Sequence, residues 1–202
     1  MQLPPKVTPR AFARLAEIGA GRTEPVDLLF FDTCMNASVE VFTELRRFAK
    51  TFVASSLLVP GPGWDYDLWI KATLYKRPAS AEEWADVSVE AFGDAYDQRI
   101  SRMEAQMGAF STSMELDFVG RFGELVAELR KHGLAGVRLA VLAAERADTT
   151  VHGENVDLGH LVRRIQESTK DEGVLKAAAR FREVYEKALV RLSMAPAGRE
   201  NL

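Results

Sequence analysis

Hydrophobic positions along the chain fall into two patterns: short unbroken runs, and longer stretches where they recur every three or four residues. The first run, VDLLFF at 26–31, is bounded by polar residues and reads as a strand covered on both faces of a parallel sheet. Helical spacing follows, with Asn36 or Ser38 opening a helix that carries Val39, Phe42, Leu45 and Phe48. A second short run, TFVASS at 51–56, completes a strand–helix–strand unit. That unit predicts parallel pairing and helices packed on the sheet.

Upstream, TPRAFARLAEIGAG predicts a helix capped by Thr8, with Pro9 in its first turn and Phe12, Leu15 and Ala16 on one side. Downstream, the Pro and Gly content of LLVPGPGWDYD at 57–67 marks a loop, followed by a helix at about 68–75. Ser80 and Glu83 form a capping box for a helix that runs to about Gln98. GAFSTSMEL at 108–116 reads as a third strand, and Asp117 then caps an amphipathic helix carrying Phe118, Phe122, Leu125, Val126 and Leu129. Helices are predicted over 137–147, over 158–168 behind Asp157, and over 174–192. The result is an α/β fold with a mostly parallel sheet sandwiched by helices and a helix-rich C-terminal half.

At 202 residues the chain can bury one sizeable core, so 1–194 is expected to form one domain and 195–202 a disordered tail. Lys and Arg number 26 against 29 Asp and Glu, a net charge of −3, which offers no basic face to nucleic acid or anionic lipid. No signal-peptide core and no run of 18 apolar residues occurs, so the chain as given is expected to be soluble and not membrane-spanning. Its compartment stays open. Cys34 is the single cysteine, which excludes an intrachain disulfide and a cysteine-based metal cluster.

Cys34 lies at the exit of the first predicted strand, just before a helix. The carboxyl ends of strands in open α/β sheets are where ligands and chemistry sit. A nearby helix N-terminus favours a thiolate and offers N–H groups to an oxyanion. Two readings compete: a nucleophile, or a small buried hydrophobe at a strand end.

The surrounding residues resemble a known family. FFDTCMNASVEVFTELRRFAKTFVASS followed by PGPGWDYDLW is similar to the clostripain family of cysteine peptidases (peptidase family C11), which have a caspase-like fold. STSMELDFVGRFGELVAEL and ENVDLGHLVRRIQEST resemble later family segments, so the likeness spans roughly 8–192. It implies an endopeptidase cleaving peptides or proteins after Arg or Lys, with Cys34 as nucleophile and Asp32 helping to receive the basic P1 side chain. Asp32 alternatively reads as a turn or cap acid. This sequence has Leu57, Leu58 and Val59 where family members often carry acids. Basic preference then rests on Asp32, with Asp65 or Asp67 of the loop as further candidates. Trp64 could form a substrate wall or pack in the core, as could Trp69. The likeness also carries an expectation of calcium dependence, although no EF-hand ligand pattern is present.

The family's His-Gly segment and N-terminal strands are missing from this sequence, and no strand is expected after the last helix. His132 reads as a helix C-terminal residue, His152 as a loop residue and His160 as solvated. The chain is therefore expected to be the Cys-bearing, heavy-chain-like portion of an enzyme completed by a His-bearing partner chain. A truncated chain remains an alternative. So does a non-catalytic interaction module, or inactive homologue, that binds a partner.

Overall fold

The computed structural model describes residues 25–46, 48–98, 105–112, 117–148 and 155–194. The predicted helix at 8–20 and the tail 195–202 lie outside them. Strand β1 (Val26–Phe30), helix α1 (Val39–Leu45) and strand β2 (Ala49–Ala54) form the expected unit. The two strands pair in parallel, with Val26 opposite Ala49 and Phe30 opposite Val53. Ser38 is the N-cap of α1, its side chain accepting the Val41 N–H at 3.3 Å.

Beyond β2 the sheet reverses direction. Helices α2 (Tyr66–Lys76) and α3 (Ala81–Gln98) lead to β3 (Gln106–Ser111), which pairs antiparallel with β2. One crossover helix makes its flanking strands parallel, whereas two successive helices return the chain to the end it left. The sheet is thus mixed rather than mostly parallel. A second correction concerns β4 (Leu189–Met194), which pairs antiparallel with β3 to give the order β1-β2-β3-β4. Leu189 and Leu192 continue the helical spacing, so the local pattern extends the last helix to 192. Pairing with β3 decides otherwise, because strand preference depends on tertiary partners.

Thr51, Phe52, Val53 and Ala54 are all buried, as a central strand with both faces covered requires. Phe52 meets Phe42 of α1 and Phe110 of β3, with ring centroids 5.5 and 5.4 Å apart. Val53 belongs to a second cluster, with Trp64, Val89, Phe92, Tyr96 and Met107. Strand β1, expected to be interior, pairs only with β2 among the described residues. Val26 accordingly stays 45% exposed.

Contacts divide the chain into two compact units, the sheet with α1–α3 and a helical unit at Met114–Ala188. The second contains α4 (Phe118–Lys131), α5 (Leu134–Glu145), α6 (Leu158–Ser168) and α7 (Glu172–Ala188). Phe181 sits at its centre, 5.1 Å from Phe118 and 5.3 Å from Phe122 between ring centroids. Asp157 caps α6 as expected, accepting from His160 N. Asp117 holds the N-cap position of α4 as expected, but with φ +45° and no capping hydrogen bond from its side chain.

Two glycines of this unit should respond oppositely to alanine. A Cβ on Gly136 would lie 1.8 Å from the Leu129 carbonyl oxygen, while one on Gly123 meets nothing within 4 Å. Gly136→Ala forces the backbones of α4 and α5 apart and is expected to cost about 1–3 kcal/mol or more. Gly123→Ala, inside α4, should stabilise by up to about 1 kcal/mol through helix propensity. Urea denaturation of both variants checks the pair of signs.

Candidate active site

Parallel pairing brings the exits of β1 and β2 to the same edge of the sheet, and the two segments that leave it stay bonded. Phe31 N–H donates to Val53 O at 2.9 Å, Met35 N–H to Leu57 O at 3.0 Å, and Ala37 N–H to Ser55 O at 2.9 Å. Cys34 is half-buried between these bonds. Its Sγ accepts the Val59 N–H at 3.3 Å and lies 3.7 Å from Val59 O, to which the thiol can donate. Asn36 Nδ2 donates to Cys34 O at 3.0 Å and also to Thr33 Oγ1. Met35 holds φ +53°, a left-handed conformation that costs a residue with a Cβ about 1–2 kcal/mol. Strain of this kind persists where its surroundings over-determine it.

The N–H of Cys34 has no hydrogen-bond partner among the described residues. A half-buried donor beside the thiol can receive an oxyanion. The expected helix terminus is less close than the sequence implies. Met35, Asn36 and Ala37 separate Cys34 from the Ser38 cap, and α1 is only 7 residues long. The Val59 peptide, not α1, makes the direct contacts to sulfur.

Asp32 meets the same crossing segment further along. Gly63 N–H donates to Pro60 O at 2.8 Å, closing a turn in which Gly63 has φ +65°. A Cβ there would stand 3.0 and 3.2 Å from the two carboxylate oxygens of Asp32. Glycine is required both by the turn and by the approach of the carboxylate. The Tyr66 hydroxyl donates to Asp32 Oδ2 at 2.7 Å, and the Tyr96 hydroxyl donates to Gly63 O at 2.8 Å. Tyr66 has its pKa raised, first by the hydrogen bond to Asp32, then by burial and by the carboxylate charge. Burial raises that of Tyr96, with a smaller contribution from Asp32. Neither tyrosine was picked out by sequence pattern. Tyr66 lies within GWDYD, but no spacing rule pairs it with Asp32.

The remaining candidates are placed as follows. Trp64 is 6% exposed and packs edge-on to Phe30 at 5.7 Å, with its indole N–H unpartnered among the described residues. Its ring anchors the loop in the core. Trp69 donates from Nε1 to Ser88 Oγ at 2.8 Å. Asp65 caps α2, accepting the Leu68 N–H at 2.9 Å, which starts that helix two residues before the predicted position. Asp67 forms an exposed pair with Lys71 at 2.6 Å. Val59 packs against the core cluster, while Leu58 is 40% exposed.

Both described histidines belong to the helical unit. His132 is the C-cap of α4, 3.5 Å from Asp171. His160 is not solvated as expected: its side chain is 16% exposed, its Nδ1 accepts the Asp148 N–H at 3.1 Å and lies 2.8 Å from Asp148 Oδ2. His152 lies outside the described residues. Among those described, no three His, Cys, Asp or Glu side chains group as a metal site. No described helix is long and apolar enough to cross a membrane. A surface cleft of about 510 Å³ lined by Asp27, Leu28, Ser80 and Trp84 involves the opening residues of β1, away from the strand exit that carries Cys34.

Known structures share this architecture. The chain is similar to a B. fragilis cysteine protease, with TM-score 0.61 and 16% identity over 97% of this chain and 76% of that one. It is similar to a clostripain from Bacteroides thetaiotaomicron in complex with a peptide inhibitor, with TM-score 0.60 and 13% identity over 96% and 76% of the two chains. A secreted C11 cysteine protease from the same organism, bound to an irreversible peptide inhibitor, gives TM-score 0.64 and 17% identity over 96% of this chain and 50% of that one. The fold is that of these cysteine proteases. The sequence profile of the clostripain family, peptidase C11, matches residues 14–189, and the chain belongs to that family. No curated protein matches it.

Two outcomes are expected from the Asp32 cluster. Gly63→Ala should destabilise the chain by about 1–2 kcal/mol through its positive φ alone, which thermal unfolding measures. In an ultraviolet pH titration, Tyr66 should ionise above the ordinary 10.0, and Asp32→Asn should bring it back down. The sign follows from linkage. A pKa raised on folding contributes stability fully present below the unfolded value and lost as pH rises through the folded one.

Proposed function

We propose that this chain is the Cys-bearing part of a cysteine endopeptidase that cleaves after Arg or Lys. Cys34 acts as nucleophile, Asp32 receives the basic P1 side chain, and a histidine is supplied from outside the chain. The observation that carries this reading is one loop holding both residues. Val59 contacts the Cys34 sulfur, and Gly63 and Tyr66 contact the Asp32 carboxylate. Support also comes from the peptide inhibitor of the B. thetaiotaomicron clostripain, BTN-VLTK-AOMK, whose peptide part ends in lysine.

In the proposed reaction the Cys34 thiolate attacks the scissile carbonyl carbon, and a C–S bond forms as the carbonyl π electrons move to oxygen. The N–H of Cys34 donates to that oxyanion. Collapse breaks the C–N bond, and the histidine passes a proton to the departing amine. Water, deprotonated by the same histidine, then releases the peptide acid and regenerates the thiol. Asp65 and Asp67 stay with α2, as cap and ion-pair partner, and Trp64 supports the loop from the core.

Kinetics on Arg-, Lys- and Ala-P1 peptides, with the chain joined to its His-bearing partner, test the assignment. Cys34→Ala should abolish turnover. Asp32→Asn should cost at least about 2 kcal/mol, roughly 30-fold in kcat/KM, on the two basic substrates and little on the third. Asp67→Asn should change kcat/KM less than about twofold, since solvent screens that pair. Equal losses on all three peptides would make Asp32 structural. Peptide binding without turnover by the assembled parent would favour the interaction-module reading.

A further inference from the structure

A guanidinium meets a carboxylate best through two parallel N–H···O bonds, whereas an ammonium acts as a compact charge that needs one oxygen. The two oxygens of Asp32 are not equally available. Oδ2 already accepts the Tyr66 hydroxyl at 2.7 Å, while Oδ1 receives no hydrogen bond among the described residues. Gly63 closes a further approach, since even a methyl group there would crowd both oxygens at 3.0 and 3.2 Å.

Tyr66 is held in place by its surroundings. It is the first residue of α2, directly after the Asp65 cap, so its backbone is fixed by the helix start. Its ring stands edge-on to Trp69 with centroids 6.4 Å apart and planes at 80°. Trp69 is itself bonded to Ser88 at 2.8 Å.

Resting on the reading of Asp32 as the acceptor of a basic side chain, we propose that Tyr66 is a specificity-determining residue that biases the site toward lysine over arginine. It does so by taking one of the two lone pairs of Oδ2, which leaves Oδ1 as the better acceptor. A lysine ammonium can bond Oδ1 and turn its other two N–H groups to water or backbone carbonyls. An arginine fork must share Oδ2 with the phenol, bind through one N–H, or displace the phenol, and each option weakens the fork. Tyr66 is 53% exposed, so the displaced hydroxyl finds water and the penalty is several-fold rather than thousand-fold.

The test measures recognition without turnover and so needs no histidine. In a Cys34→Ala background, calorimetry compares three short peptides identical except for a terminal Lys, Arg or norleucine residue. With Tyr66 present, the Lys peptide should bind more tightly than the Arg peptide. Tyr66→Phe keeps the ring but frees Oδ2, and should tighten Arg binding roughly 3- to 10-fold while leaving Lys within about twofold. Asp32→Asn should bring both charged peptides down to the norleucine level. If Asp32→Asn removes the preference for charge but Tyr66→Phe leaves the Lys/Arg ratio unchanged, or the parent favours Arg, the role of Tyr66 is overturned and that of Asp32 stands. If charge preference survives Asp32→Asn, or no charged peptide binds better than norleucine, both are overturned together.

Discussion

The site depends on one constraint: the chain leaving β2 is bonded across the chain leaving β1. Parallel pairing sets this up, because both strands end at the same edge of the sheet. Bonds from Met35 to Leu57 and from Ala37 to Ser55 extend the contact past the strands. The crossing segment then meets the two residues proposed to carry chemistry, with Val59 at the sulfur of Cys34, and Gly63 and Tyr66 at the carboxylate of Asp32. Its own position is fixed from the core, by the buried ring of Trp64 and by the Tyr96 hydroxyl on Gly63 O. Loosening the loop would disturb Cys34 and Asp32 at once.

This explains which parts of the molecule are legible in the sequence. Strand β1, the Ser38 cap, α1 and β2 follow from local patterns, and so does Cys34 at a strand exit. Each needs only neighbours a few residues away. The reversal of β3, the presence of β4 and the edge position of β1 depend on which strands meet, and strand pairing leaves little local trace. The same holds for the site. Asp32 is suggested by the family resemblance, but its bond to Tyr66 joins residues 34 positions apart. The glycine-rich loop is visible as a loop; that one glycine makes room for a carboxylate is not. Trp64 and Asp65 stand out in the sequence as site candidates, yet one anchors the loop and the other caps a helix.

The geometry also limits where the proposed histidine can enter. On one side of the β1 exit, the space beside Cys34 is filled by the 55–59 segment, bonded at Ala37, Met35 and the sulfur itself. On its other side, β1 is the edge strand of the sheet among the described residues. A strand added at that edge would lie about 4.8 Å away. Under the proposed reading, a histidine carried by such a strand would be the group that completes the pair with Cys34. A single added strand could therefore complete the sheet and the catalytic pair together.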